Sequence, residues 1–203
     1  MKHMRVELVD WAQCTALARR LAALVRDADF TPDVIVAIGR GGWVPARLLS
    51  DRLDIYRLAG FKVEHYRAAH RQAQARVRIP LCTELSGERV LLVDDVSDAG
   101  DTFEVAVAHV REHGPPAELR TAVLHHKRVS SFVPDFFAAE IREWRWLTYP
   151  WAVHEDVSGF IRELDMADAA TGALMAAIEQ NYGIRVPAEI LEDARRLAQA
   201  GAA

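Results

Sequence analysis

The sequence predicts an α/β protein built on a mostly parallel sheet, and three observations carry that expectation. Val34–Ile38 and Val90–Val93 are short, β-branched apolar runs of the kind that strands buried on both faces require. Each runs into a small-residue turn and then into helical periodicity. Leu119–Leu124 reads as a further strand of the same set, ending in His125-His126-Lys127-Arg128.

Composition sets the outer bounds. The chain has 203 residues, 51% of them hydrophobic, which suits one compact domain or a domain with an appendage. A net charge of −4 leaves no global basic footprint for nucleic acid. The apolar runs are too short to span a bilayer, and the opening MKHMRVELVD lacks a secretory apolar core, so a cytoplasmic location is the default expectation. Two cysteines, Cys14 and Cys82, are too few for a disulfide framework and lack metal-ligand spacing.

Within residues 5–30 a helix is expected, with Asp10 as N-cap and Trp11, Cys14, Leu17, Ala18, Leu21, Leu24 and Val25 as its apolar stripe. Thr31-Pro32-Asp33 breaks it. The strand Val34–Ile38 leads into Gly39-Arg40-Gly41-Gly42, and Trp43–Leu53 is helical with Pro45 tolerated in the first turn. This turn offers backbone donors and a cation at a strand's carboxyl end, where ligands of open α/β sheets bind. Phe61–Tyr66 alternates like a strand. Residues 70–78 are polar and basic without periodicity, which fits either a solvated loop or a closing lid.

Val90–Thr102, VLLVDDVSDAGDT, is the centre of the chain. A strand, a turn containing Gly100 and a helix start bring free N–H groups and the helix dipole together as an anion site, with the hydroxyls of Ser97 and Thr102 as added donors. Asp94 and Asp95 at the strand end would repel a phosphate unless hydroxyl groups or a divalent cation bind beside it. The chemistry points to a sugar phosphate. Phe103–His113 is then helical and stops at Gly114-Pro115-Pro116. Glu143–Trp151 holds three of the five tryptophans, an aromatic cluster suited to a core, a subunit contact or a base-stacking platform. From Ile161 onward two or three helices are expected, anchored by Leu174, Ile178, Ile190, Leu191 and Leu197 and broken at Pro187.

VLLVDDVSDAGDT resembles the phosphoribosyl-pyrophosphate (PRPP) motif of the type I phosphoribosyltransferases, and IGRGG at Ile38–Gly42 looks like their pyrophosphate loop. The resemblance covers roughly residues 5–156 and implies that family's twisted sheet with helices on both faces. It also implies a small hood with elements in about 126–156, and leaves 157–203 as a C-terminal helical extension. It implies that Asp94 and Asp95 contact the ribose hydroxyls and, directly or through water, Mg²⁺. Ser97, Asp98, Ala99, Gly100, Asp101 and Thr102 would hold the 5′-phosphate, and Arg40 and Gly41 the diphosphate. Asp98 matches the carboxylate that faces the purine N7. Arg67, Arg71 and Arg76 are candidate lid cations.

The closest branch is that of the xanthine, guanine and hypoxanthine enzymes. There a lysine at the position of Lys127 contacts the purine carbonyl, which an ammonium suits better than a 6-amino group. Aligning on Pro150-Trp151 places Trp146 against the purine and Leu147 where backbone groups read the base edge. The sequence departs from the pattern at Ala152, where the bacterial enzyme has an acid; Glu155 and Asp156 are candidate substitutes, and the choice among guanine, xanthine and hypoxanthine stays open. The resemblance implies a 6-oxopurine phosphoribosyltransferase of purine salvage, dependent on Mg²⁺ and forming a homo-oligomer, dimer or tetramer. The alternative is a PRPP- or nucleotide-sensing regulator of the same fold without turnover. A uracil or adenine enzyme is disfavoured by Lys127 and the Trp146 segment.

Overall fold

The computed structural model describes residues 4–66 and 74–200. In chain order, β1 (Val6–Leu8) and α1 (Trp11–Asp27) precede β2 (Val34–Gly39), α2 (Trp43–Leu53) and β3 (Leu58–Tyr66). Next come β4 (Gln74–Ile79), β5 (Arg89–Ser97), α3 (Asp101–Glu112), β6 (Glu118–Lys127) and β7 (Phe136–Ile141). The chain continues through β8 (Trp146–Thr148) and the helices α4 (Val153–Glu163), α5 (Thr171–Tyr182) and α6 (Ala188–Ala200). Two compact units result. Ala12–Glu143 forms the larger, and the residues up to Trp11 join those from Trp144 onward in the smaller. The sequence boundary at residue 156 follows family resemblance; the compact units follow spatial contact.

In the larger unit a six-stranded sheet has the order β4-β3-β2-β5-β6-β7, with every neighbouring pair parallel except β3–β4. Val34 and Val36 align with Val90 and Leu92, and these residues, with Ile38, cluster with Phe103, Ala106 and Val110 of α3. Ile35, Ala37, Leu91 and Val93, of the opposite parity, are equally buried, so the central strands are covered on both faces. At the amino ends of β2 and β5, Asp33 accepts hydrogen bonds from the Arg89 backbone N–H and guanidinium at 2.7–3.3 Å. That contact, chiefly the side-chain hydrogen bond, lowers the Asp33 pKa.

Three local expectations are corrected. The first helix begins at Trp11, directly after the expected cap Asp10 and behind strand β1, but Trp11 and Leu24 of its apolar stripe are exposed rather than core. Residues 74–79 are an edge strand, β4, not a loop, with Arg76 opposite Glu64. Their alternation is hidden because Arg76, Arg78 and Ile79 all face solvent. β6 runs past Leu124 to Lys127, burying His125, His126 and Lys127 between β5 and β7.

The smaller unit is assembled from both ends of the chain. β1 pairs in parallel with β8, Val6 beside Trp146 and Leu8 beside Thr148. Val6, Val157, Phe160, Ile161, Leu174, Ile178, Tyr182 and Leu191 make its core, with Ile190 partly buried; Leu197 is exposed. Phe160 and Tyr182 stack at 4.3 Å, and burial, with a hydrogen bond to Glu163, pushes the Tyr182 hydroxyl up to about 12.

Candidate active site

Two strand tips build the site within the larger unit. At the end of β5, successive residues point to opposite faces, so Asp94 continues the side of Leu92 and Asp95 that of Val93. Asp94 is buried and accepts the Asp95 backbone N–H at 2.9 Å. Burial and the adjacent Asp95 charge push its pKa well above the usual carboxylate value, against the pull of backbone donors from Asp95 and Gly42.

The turn after β2 closes onto this pair. A Cβ added at Gly41 would stand 2.5 Å from Asp95 Oδ2, and one at Gly42 would stand 2.3 Å from the Val93 carbonyl oxygen. The glycines are therefore needed for close approach, which brings the turn directly against the Asp95 carboxylate. The Gly39–Arg40 peptide is cis, and Gly42 N–H returns to the Ile38 carbonyl at 2.8 Å.

The turn after β5 has a different construction. Gly100 has φ +109°, a left-handed conformation that favours glycine, and Asp101 opens α3 behind it. Ser97 is fully buried; its hydroxyl lies 2.8 Å from Ser130 Oγ and donates to the Phe132 carbonyl at 3.0 Å. Ser131 donates from both its N–H and its hydroxyl to the Ala99 carbonyl, and Phe103 stacks on Phe132. Ser97 thus braces the turn from inside, whereas Ala99–Thr102 carry the helix-start N–H groups. Ser130-Ser131-Phe132 escaped sequence reasoning because VSSFV carries no motif and acts only through contacts about thirty residues away in the chain.

Lys127 ends β6 only 2% exposed, and its Nζ donates to Asp98 Oδ2 at 2.6 Å; the Asp98 side chain is 38% exposed. The two residues read separately as purine contacts are therefore one ion pair. A buried ammonium needs such a partner. His65, which the sequence did not single out, contacts Asp101 Oδ2 through Nε2 at 2.8 Å. Arg67 and Arg71 lie outside the described residues.

The model of the phosphoribosyl transferase domain matches residues 5–156. The chain belongs to the phosphoribosyltransferase family. Among its relatives, the xanthine-guanine phosphoribosyltransferase of Desulfotalea psychrophila is 29% identical over 150 residues, 74% of this chain and 88% of that protein. The crystal structure of a purine phosphoribosyltransferase from Pyrococcus horikoshii is 34% identical with a TM-score of 0.64, covering 73% of this chain and 94% of that one. A Neisseria gonorrhoeae protein of hypothetical standing, crystallised with bound ppGpp, matches at 23% identity and a TM-score of 0.64 over 99% of both chains. That likeness extends the shared fold through the C-terminal helices. The protein is thus a phosphoribosyltransferase of the purine group, with the mostly parallel sheet and flanking helices that the sequence predicts.

The phosphoribosyltransferase carries Trp146 and Leu147 on β8, in its smaller unit. Trp146 is partly exposed and its indole N–H donates to Asp156 Oδ2 at 2.9 Å. Burial raises the Asp156 pKa although the Trp146 indole donates to it. Leu147 is buried. Tyr149 and Trp151 stack 4.8 Å apart with near-parallel planes. No described helix is long and apolar enough to cross a membrane.

Phosphoribosyltransferases generally use Mg²⁺ with PRPP. Among the described residues no group of three or more His, Cys, Asp or Glu forms a protein-only metal cage. Asp94 and Asp95 still fit this ion, which is commonly held by one or two carboxylates with substrate phosphates and water completing the shell.

Proposed function

We propose that the protein transfers the 5-phosphoribosyl group of PRPP to N9 of a 6-oxopurine (xanthine, guanine or hypoxanthine), releasing pyrophosphate in purine salvage. The observation that carries this reading is the meeting of Gly41 with the Asp95 carboxylate, which lets one sugar diphosphate span both strand tips. Asp94 and Asp95 accept the ribose hydroxyls, and Ala99–Thr102 receive the 5′-phosphate at the start of α3. Arg40 and the Gly41-Gly42 backbone hold the diphosphate. Mg²⁺, carried by Asp94 and Asp95 together with the substrate, supplies positive charge for the leaving group.

The bond from ribose C1 to the diphosphate oxygen breaks with its electron pair on the diphosphate. The bond from purine N9 to C1 forms, and Asp98 accepts or relays the proton carried by the purine imidazole ring. Preorganised charge is the main contribution: the carboxylates favour the cationic sugar, and Arg40 the departing anion. Lys127, already at Asp98, donates to the 6-oxo group; a base-recognition role for Trp146 and Leu147 is what the family resemblance implies. A homo-oligomer, dimer or tetramer, acting in the cytoplasm completes the proposal.

Incubation with PRPP, Mg²⁺ and each of hypoxanthine, guanine and xanthine tests it. Pyrophosphate release with at least one base is expected; silence with all three removes the 6-oxopurine assignment. A second reading, nucleotide or PRPP sensing without turnover, draws support from the full-length likeness to the ppGpp-bound Neisseria protein. Tight binding of PRPP or ppGpp without pyrophosphate release across a wider base panel would favour it.

A further inference from the structure

The turn assigned to the 5′-phosphate carries one negative charge too many for that task. Lys127 answers Asp98. Asp101, the first residue of α3, brings a carboxylate to the helix start where a phosphate dianion would arrive. A helix dipole by itself favours an acid there, but an acid and a dianion at the same start repel each other. The compensating group comes from another element. His65, on β3, has its Nε2 2.8 Å from Asp101 Oδ2, with side chains 49% and 40% exposed.

Among the described residues, Glu104 and Lys62 are engaged elsewhere. Glu104, also in the first turn of α3, accepts from Ser131 Oγ at 3.4 Å, and Lys62 on β3 pairs with Glu64. As a half-exposed surface contact, His65–Asp101 adds little to stability; its position matters more than its strength.

We infer that His65 is a positioning residue of the 5′-phosphate subsite, holding the Asp101 carboxylate toward β3 and screening it with a donor so that the helix start admits a phosphate. The imidazole does this as a cation or as an N–H donor, and it need not touch substrate. The inference rests on the reading of Ala99–Thr102 as the 5′-phosphate turn.

Calorimetric titration of the whole chain with ribose 5-phosphate, pyrophosphate and PRPP, each with Mg²⁺, tests it. His65→Ala should weaken ribose 5-phosphate and PRPP by about tenfold, the scale of one unscreened charge a few ångströms away in a partly solvated site. Pyrophosphate, which has no 5′-phosphate, should bind as it does to the unaltered chain. Asp101→Asn should bind PRPP at least as tightly as the unaltered chain, and His65→Ala/Asp101→Asn should match Asp101→Asn within about twofold, because screening a missing charge gains nothing. Should His65→Ala fold poorly, His65→Gln retains an N–H donor and should fall between the unaltered chain and the expected loss. Unchanged PRPP affinity in His65→Ala, or a loss that Asp101→Asn does not restore, overturns the inference and leaves the site reading intact. Failure of the unaltered chain to bind PRPP or ribose 5-phosphate overturns both.

Discussion

The turns after β2 and β5 look alike in sequence, each an apolar strand, a glycine-containing turn and a helix, yet they are held by different physics. Gly41 and Gly42 are present because there is no room: side chains there would meet Asp95 and the Val93 carbonyl, and Gly42 itself has an ordinary φ of −68°. Gly100 is present because of its conformation, φ +109°, and because Ser131 and Phe132 press against it. The first turn is shaped by the carboxylate and strand backbone it packs against. The second is a scaffold tied to Ser130–Phe132, and damage to it should spread into the fold.

The largest effect should come from removing what both turns surround. Asp94→Asn with Asp95→Asn should lower turnover by at least about 10²–10³-fold, the usual cost of losing preorganised charge, with circular dichroism unchanged. A double variant that still turns over would detach the β5 tip from the chemistry. Gly41→Ala should come next. Its Cβ displaces the Asp95 carboxylate, and a misplacement of this size costs on the order of 10²-fold in kcat/KM for PRPP. The thermal midpoint should hardly move, since only a side-chain end has to give way.

Gly100→Ala should reverse that pattern by destabilising the chain by about 1–3 kcal/mol through its left-handed backbone, read by urea denaturation. Equal stability losses at Gly41 and Gly100 would erase the distinction between the turns. The subtlest prediction concerns Asp94, whose pKa in the folded chain lies above its ordinary 3.8. Below pH 3.8 the carboxyl is protonated both folded and unfolded. As pH rises through that value the unfolded chain ionises first, and folded stability falls until the folded group ionises as well. In metal-free buffer at pH 7, Asp94→Asn should therefore melt above the unaltered chain, the difference closing toward pH 4. A lower midpoint at neutral pH would mean that the ionised carboxylate is stabilised by contacts stronger than its burial.

How legible each region was follows from how local its determinants are. The strand Val90–Val93, the carboxylates behind it and the glycine turn at 39–42 are contiguous patterns, and the family resemblance drawn from them agrees with the domain matched over 5–156. The edge strand β4 was missed because an edge presents polar residues to water on more than one side and loses the period-two signal. The pairing of β1 with β8 joins Val6 to Trp146 across most of the chain, and no local pattern announces it. Trp11 and Leu24 show the converse: they lie on a stripe of helical period but outside the buried arc of α1.

By itself the sequence determined which segments are buried strands, where the acid pair and glycine turns stand, and to which family those patterns belong, because each depends on neighbours a few residues apart. Only the tertiary structure decided that Gly41 abuts Asp95, that Lys127 meets Asp98, that Ser97 faces inward to Ser130, and that His65 reaches Asp101. These contacts join residues about 30 to 55 positions apart whose separation is set by strand order and register, quantities that emerge only when the whole sheet is packed.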